Sequence, residues 1–277
     1  MTVQKGATLN RTVLDIGASY GLFANFIADL SIELENSSSI RVFAVEPIPH
    51  ISAKIGERHN LKVIQAAIVP FELIPSTGTK DFNVMKNTEL STFLEINPNL
   101  DNNIWKDHIS SLQVVETVQV LCVTLKSLMV ENRIAKVDFI KIDTQGTDVE
   151  ILLSAGTEIS NILSCALEFP YSRENAIYSN EKSLLEGIEI LDRIGFVLMR
   201  VVPNGGGECN AFFRNSCITI EEYFQIEAEL NFGKAPTLKI GRHNPLINMS
   251  KFEKFLYFLE SRAYIALTKI RIRQKRR

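Results

Sequence analysis

Six residues of this 277-residue chain have the types and spacing of a chemical site: Asp15, Gly17, Gly21, Glu46, Asp143 and Glu168. Asp15, Gly17 and Gly21 form Asp-x-Gly-x-x-x-Gly, with Ser19 inside it, directly after the apolar run Val13-Leu14-Asp15-Ile16. A strand that enters a helix through small residues is a ligand-binding device. Glycine lets backbone approach a ligand, and the helix start offers free N–H groups. Glu46 closes a second apolar run, Ile40–Val45, and Pro47 stops that strand. An acid at a second strand end can accept hydrogen bonds from two ribose hydroxyls. Asp143 follows a further apolar run, Val137–Ile142, and Glu168 lies near the end of another, Leu163–Phe169. Carboxylates there can take a proton from a hydroxyl.

The acids discriminate between nucleoside ligands. A dinucleotide brings its pyrophosphate to the helix start, where Asp15 would oppose it. S-adenosylmethionine carries a sulfonium and an α-amino group and no phosphate, so the acid favours it over NAD. Each residue also has a plainer reading. Asp15-Ile16-Gly17 is a strand end with a turn, Asp143 a polar cap to the helix behind it, and Glu168 half of an ion pair. An unpaired carboxylate in the apolar run around Glu168 would be costly, which favours a site role. His108 lies in a long polar stretch and is a third candidate base beside the simpler reading of a solvated loop residue. Lys141 either contacts substrate or pairs with an acid. No histidine or cysteine shows metal-ligand spacing, so no metal is expected.

The elements that must position these residues follow from periodicity. Thr12–Ile16 is the first strand, and Leu22 to Leu34 is an apolar-periodic helix. Ile40–Val45 is the second strand, a helix follows over Pro49 to Arg58, and Leu61–Ile68 is the third strand. Strands alternating with helices predict a parallel sheet with crossover connections. Residues 70–113 interrupt the rhythm with turn residues and read as an inserted functional loop, with an extra strand at Phe82–Met85. Val114 to Val123 is another strand. Thr124 caps a short helix over Leu125–Asn132. Val137–Ile142 is the fourth strand and a helix follows at Val149–Leu153. Leu163–Phe169 is the fifth strand and Glu181–Ile194 an amphipathic helix. Phe196–Val202 and Asn210–Phe213 form a closing antiparallel pair around Gly205-Gly206-Gly207.

The runs VLDIGASYG, VFAVEP, VDFIKIDTQGTDVEILLSAG and CALEF resemble the FkbM-type family of S-adenosylmethionine-dependent methyltransferases over about Val13 to Arg214. Lys141 to Gly146, running on to Gly156, is the most specific part. It departs from the family pattern around Asp148 and Glu150, and Ala155-Gly156 reverses the usual order. The resemblance implies a Rossmann-like class I sheet of seven strands, the last antiparallel, with helices on both faces. It implies methyl transfer, commonly to a hydroxyl of a sugar or small metabolite. Asp15, Gly17, Ser19 and Gly21 would form the cofactor loop, Glu46 would hold the ribose, and Ala66 and Ala67 would border the adenine. Asp143 would stand beside the transferable methyl.

Domain expectations are a methyltransferase unit over 1–215 and a helical extension over 216–277. Apolar content of 45% and charged content of 22% are ordinary for a globular protein, and a net charge of −2 provides no field for nucleic acid. Nor is there an Asn/Asp-Pro-Pro-aromatic motif of amino-directed nucleic-acid methyltransferases. The expected acceptor is therefore a saccharide, a glycolipid or a small molecule, with N-methylation of RNA or protein and a non-catalytic binding protein as alternatives. Buried thiols at Cys122 and Cys165, and an N-terminus without an apolar core, predict a cytoplasmic protein. The basic, amphipathic tail Lys251 to Arg277 suits either an anionic membrane surface or packing on the domain. The oligomeric state is left open.

Overall fold

The computed structural model describes residues 9–33, 38–74, 78–100 and 105–235. The basic tail therefore lies outside the described residues. Strand β1 (Leu9–Ile16) pairs in parallel with β2 (Ser38–Val45), and β2 with β3 (Leu61–Ile64). On its other edge β1 pairs in parallel with β7 (Phe139–Ile142), and β7 with β8 (Ser164–Pro170). β9 (Phe196–Gly205) and β10 (Glu208–Asn215) complete the sheet in the order β3-β2-β1-β7-β8-β10-β9. β10 runs antiparallel to both its neighbours, as expected for the last strand.

Both faces of this sheet are covered, and the strands are accordingly near-continuous apolar runs. Alternate residues serve opposite faces. Leu14, Ile16, Phe43, Val45, Ile140 and Ile142 pack against α3 (Leu125–Glu131), α4 (Asp148–Leu153) and α5 (Leu184–Arg193). Val13, Val42, Ala44 and Phe139 pack against α1 (Leu22–Glu33) and α6 (Ile220–Glu229). The segment after Asn215 is thus part of the packed layer as far as Ala235.

Three local expectations are corrected. The third strand does not run unbroken to Ile68. Ala66 N–H donates to the Ile64 carbonyl at 3.1 Å, and this turn sends β4 (Ala67–Ile68) away from the main sheet. β4 joins β6 (Val114–Val123) and β5 (Thr79–Met85) in a second, three-stranded sheet packed on α2 (Pro49–Ile55). α5 begins at Leu184 rather than Glu181, because the Glu186 carboxylate accepts the Ser183 N–H at 3.1 Å and fixes the helix start there. α2 is shorter than predicted and ends at Gly56, whose φ is +74°. The Thr124 cap is present, its hydroxyl accepting the Ser127 N–H at 3.0 Å.

Arg11 ties α6 to the sheet. Its Nη1 lies 2.7 Å from Asp138 Oδ1 and its Nε donates to Glu229 Oε2 at 2.8 Å. Asp138 is 1% exposed and keeps only the more exposed Lys136 and the Thr12 N–H as other partners. Arg11→Met should lower unfolding stability by about 2–3 kcal/mol, since it leaves a buried acid short of its cation. Urea denaturation measures this; a loss below the error of that method would show that α6 is held by its apolar face alone.

Candidate active site

The sheet order reverses at β1, with β2 and β3 on one side and β7 and β8 on the other. A crevice opens at the carboxyl ends of strands at such a point. The turn after β1 fills one side of it. Gly17 and Ala18 both donate to the Val45 carbonyl at 3.0 Å, so the loop is pinned to β2. Gly17 has φ +73°, and a Cβ there would stand 1.9 Å from the Asp143 carbonyl oxygen. Gly21, at φ +71°, is pressed against Ile55 in the same way.

The resulting cleft is lined by Gly17, Ser19, Glu46, Ala66, Ala67 and Asp143 among the residues singled out in the sequence. Glu46 Oε2 accepts the Ser19 N–H and its Oε1 the Ile48 N–H, both at 2.9 Å. Each oxygen keeps a further acceptor position. Burial raises this carboxyl to about 7, against the two N–H donors that favour its ionised form. Ser19 has φ +48°, and its buried hydroxyl has no hydrogen-bond partner among the described residues. Phe82 and Phe93 from the inserted segment, with Ala66 and Ile68, form an apolar wall. Thr88 and Glu89 of the same segment overhang the cleft, so part of the 70–113 insertion is a wall of the site.

Asp15 does not line the cleft. It is 1% exposed beneath the loop, and its Oδ2 accepts the Ala24 N–H in the first turn of α1 at 3.1 Å. Its Oδ1 has no hydrogen bond among the described residues and faces Lys141 Nζ at 3.8 Å. Burial raises the Asp15 carboxyl, and Lys141 opposes that rise.

Lys141 resolves the choice the sequence left open, because it pairs with acids. Its Nζ lies 3.0 Å from Asp143 Oδ2 while also facing Asp15. Burial alone would lower its pKa, but Asp143 and Asp15 hold it above the usual lysine value. The same pairing acts on Asp143. Its burial favours the neutral acid, yet the Lys141 ammonium overcomes this and keeps the carboxyl below the usual range. The Asp143 side chain remains 29% exposed, opening into the cleft. Glu168 is pushed well above the usual range by burial and by the charge of Asp143. The two carboxyls are thus pushed in opposite directions.

Gln145 joins these two acids, and sequence reasoning missed it. Its Nε2 donates to Asp143 Oδ1 at 2.8 Å and to Glu168 Oε2 at 3.3 Å. Asn204 at the end of β9 donates to the other Glu168 oxygen. Asp148 is a second missed residue. It accepts the Thr144 N–H and hydroxyl and the Glu168 N–H, and so ties the turn after β7 to β8. The Gln145-Gly146 turn was visible in the sequence, but not the inward return of its amide. His108 is not brought to this group. It is exposed, and its ring contacts Trp105 in an edge-on arrangement.

The cleft walls carry three carboxylates, Glu46, Glu89 and Asp143, and no lysine, arginine or histidine among the described residues. Such a wall suits a ligand with a positive charge and hydroxyls and disfavours one with phosphates. A sheet of this order, with its last strand antiparallel and a cleft at its switch point, is the class I methyltransferase fold. A family model of the methyltransferase FkbM domain matches residues 15–198, and the chain belongs to that family. Its cofactor is S-adenosylmethionine.

Solved structures are similar only distantly. A methyltransferase of Aquifex aeolicus is 14% identical, with 75% of this chain and 84% of that chain covered and a TM-score of 0.37. A Methanococcus jannaschii fibrillarin pre-rRNA processing protein is 16% identical, with 78% and 70% covered and a TM-score of 0.43. Aeropyrum pernix fibrillarin, solved with natively bound S-adenosyl-L-methionine, is 11% identical, with 76% and 70% covered and a TM-score of 0.39. At these scores the likenesses carry no argument about activity. No curated protein matches the chain.

Gly17→Ala is the sharpest probe of the cleft, since both its φ and the Asp143 carbonyl forbid a side chain. The variant should lose about 3 kcal/mol or more of stability or fail to fold. A variant that melts like the wild type would show that the β1 and β7 ends are not so closely apposed.

Proposed function

We propose that the chain transfers a methyl group from S-adenosylmethionine to a hydroxyl of a saccharide, a glycolipid or a small metabolite. The observation that carries this reading is Asp143, a carboxyl paired with Lys141 at 3.0 Å and opening into a cleft that no lysine, arginine or histidine lines among the described residues. Bound S-adenosylmethionine supplies an electrophilic methyl on a sulfonium. Glu46 would accept the ribose hydroxyls, and Ala66, Ala67 and the Phe82–Phe93 pair would flank the adenine. The turn Gly17–Gly21, with the free Ser19 hydroxyl, would hold the amino-acid end. Asp15 serves that loop from below by fixing the start of α1.

Methyl transfer is an in-line displacement, so most of the rate comes from positioning two reactants. Asp143 would stand where it can take the proton of the acceptor hydroxyl as that oxygen receives the methyl group. An acid facing the oxygen is what distinguishes a hydroxyl acceptor from an already nucleophilic amine. Glu168, pushed by burial toward its neutral form and one amide away, is the second carboxyl of the group.

Calorimetry with S-adenosylhomocysteine, with NAD as control, tests the cofactor assignment. Glu46 makes a signed prediction. Its free carboxyl sits at about 7, and ribose hydroxyls bind its ionised form. Affinity should therefore rise as pH increases through 7 and flatten above about 8. Glu46→Gln should abolish that dependence and weaken binding by about 2 kcal/mol. A pH-independent wild-type affinity would remove Glu46 from the ribose site.

Asp143→Asn should keep S-adenosylhomocysteine affinity within a few-fold and reduce methyl transfer by about 10²–10⁴-fold, read with radiolabelled donor on saccharide and glycolipid acceptors. Undiminished transfer in this variant would rule out Asp143 as the base.

A further inference from the structure

We propose that Gln145 is the positioning residue of the methyl-transfer site, its amide holding Asp143 and Glu168 together as one proton-accepting unit turned toward the cleft. The proposal rests on the reading of Asp143 as the base. Its geometric support is independent of that reading.

Gln145 occupies a left-handed backbone conformation, φ +59°, which a residue with a Cβ adopts only when its surroundings enforce it. Three groups do so. The Thr92 hydroxyl donates to the Gln145 carbonyl at 3.0 Å. The Tyr178 hydroxyl stands 3.0 Å from Gln145 Oε1 and 2.8 Å from the Leu90 carbonyl. Gly146 follows with φ +99°, and a Cβ there would meet Leu94 at 2.8 Å and Tyr178 at 3.1 Å, so the turn cannot slide.

This strained turn brings the amide back over the strand ends. Both Nε2 hydrogens are then committed, one to Asp143 and one to Glu168. With the Tyr178 hydroxyl against Oε1, the amide is fixed with its donors toward the acids. The amide donates to both carboxyls and favours the charged form of each, while the closeness in which it holds them couples their proton uptake. The Lys141 contact biases the charge to Asp143, the member that opens into the cleft. Thr92 and Leu90 belong to the inserted segment, so that segment also sets the geometry of the pair.

The test is a pH titration of the full chain by NMR of 13C-labelled side-chain carboxyls. It compares wild type, Gln145→Leu, Asp143→Asn and the double variant. Without the amide, the Asp143 midpoint should rise by about one unit, since its ionised form loses a donor. Asp143→Asn should lower the Glu168 midpoint in the wild-type background, and by less than half as much beside Leu at 145. An unmoved Asp143 midpoint, or an undiminished effect of Asp143→Asn on Glu168, overturns the proposal. If Gln145→Leu does not fold, Tyr178→Phe releases the same amide and should move both quantities in the same directions, by less. Calorimetry with S-adenosylhomocysteine on the same samples separates the two ideas. A wild type that binds none defeats the methyl-transfer reading, while the titration still decides the role of Gln145.

Discussion

The structure depends on a close approach of two strand ends. β1 and β7 are neighbours in the sheet, yet their chains turn in different directions beyond it. Asp143 N–H donates to the Ile16 carbonyl at 3.0 Å, and the next residues separate only after Gly17 has passed beneath the Asp143 carbonyl. A hydrogen at that Cα fits and a methyl does not. Because Gly17 also donates to the Val45 carbonyl, the ends of β1, β2 and β7 are fixed against one another. Those three ends carry Asp15, Glu46 and Asp143. The positions of the site acids are therefore set by backbone contact before any side chain is placed.

A single buried cation then divides the labour among the acids. Lys141 reaches Asp15 below the loop and Asp143 at the cleft, and it is itself only 5% exposed. Its charge is not free for a ligand, which leaves the cleft walls acidic. Asp148 and Glu168 lie within the field of Asp143 and form no ion pair with a cation among the described residues, although Lys141 partly opposes the rise of Glu168. Burial and that field raise both, Asp148 to about 7. Surplus carboxyls of this kind cost folding stability when ionised. They persist where electrostatics serve a ligand rather than the fold.

The main sheet was legible because its strands are buried on both faces and so read as mostly apolar runs such as Val13–Ile16 and Val137–Ile142, in which Asp15, Asp138 and Lys141 are the exceptions. The acids at their ends were legible for the same reason, since a lone charge closing such a run stands out. What the sequence hid was long-range. Nothing in Leu61–Ile68 announces the turn at Ala66, because the residues on both sides are equally suited to a strand. Asp15 looked like a site wall because its neighbours are. Only the alternation of β1, which points it under α1, reveals the capping role. Gln145 carries no charge and sits in an ordinary-looking turn. Its part depends on Thr92 and Tyr178, which are distant in sequence.

The inserted segment connects these observations. Its strand β5 pairs with β6 in the three-stranded sheet, whose apolar cluster of Ile48, Val69, Phe82, Val84 and Val120 draws on residues from both inside and outside the insertion. Phe82 and Phe93 of this cluster pack edge to face at 4.8 Å in the cleft wall. The stretch that follows β5 supplies Thr88 and Glu89 above the cleft and Thr92 behind Gln145. The same few residues thus border the cleft and brace the carboxyl pair. Any displacement of this stretch changes both at once, because the Thr92 hydroxyl and the Leu90 carbonyl are linked through Gln145 and Tyr178 to the acids. A conventional parallel sheet supplies the crevice, and the insertion gives that crevice its particular chemistry.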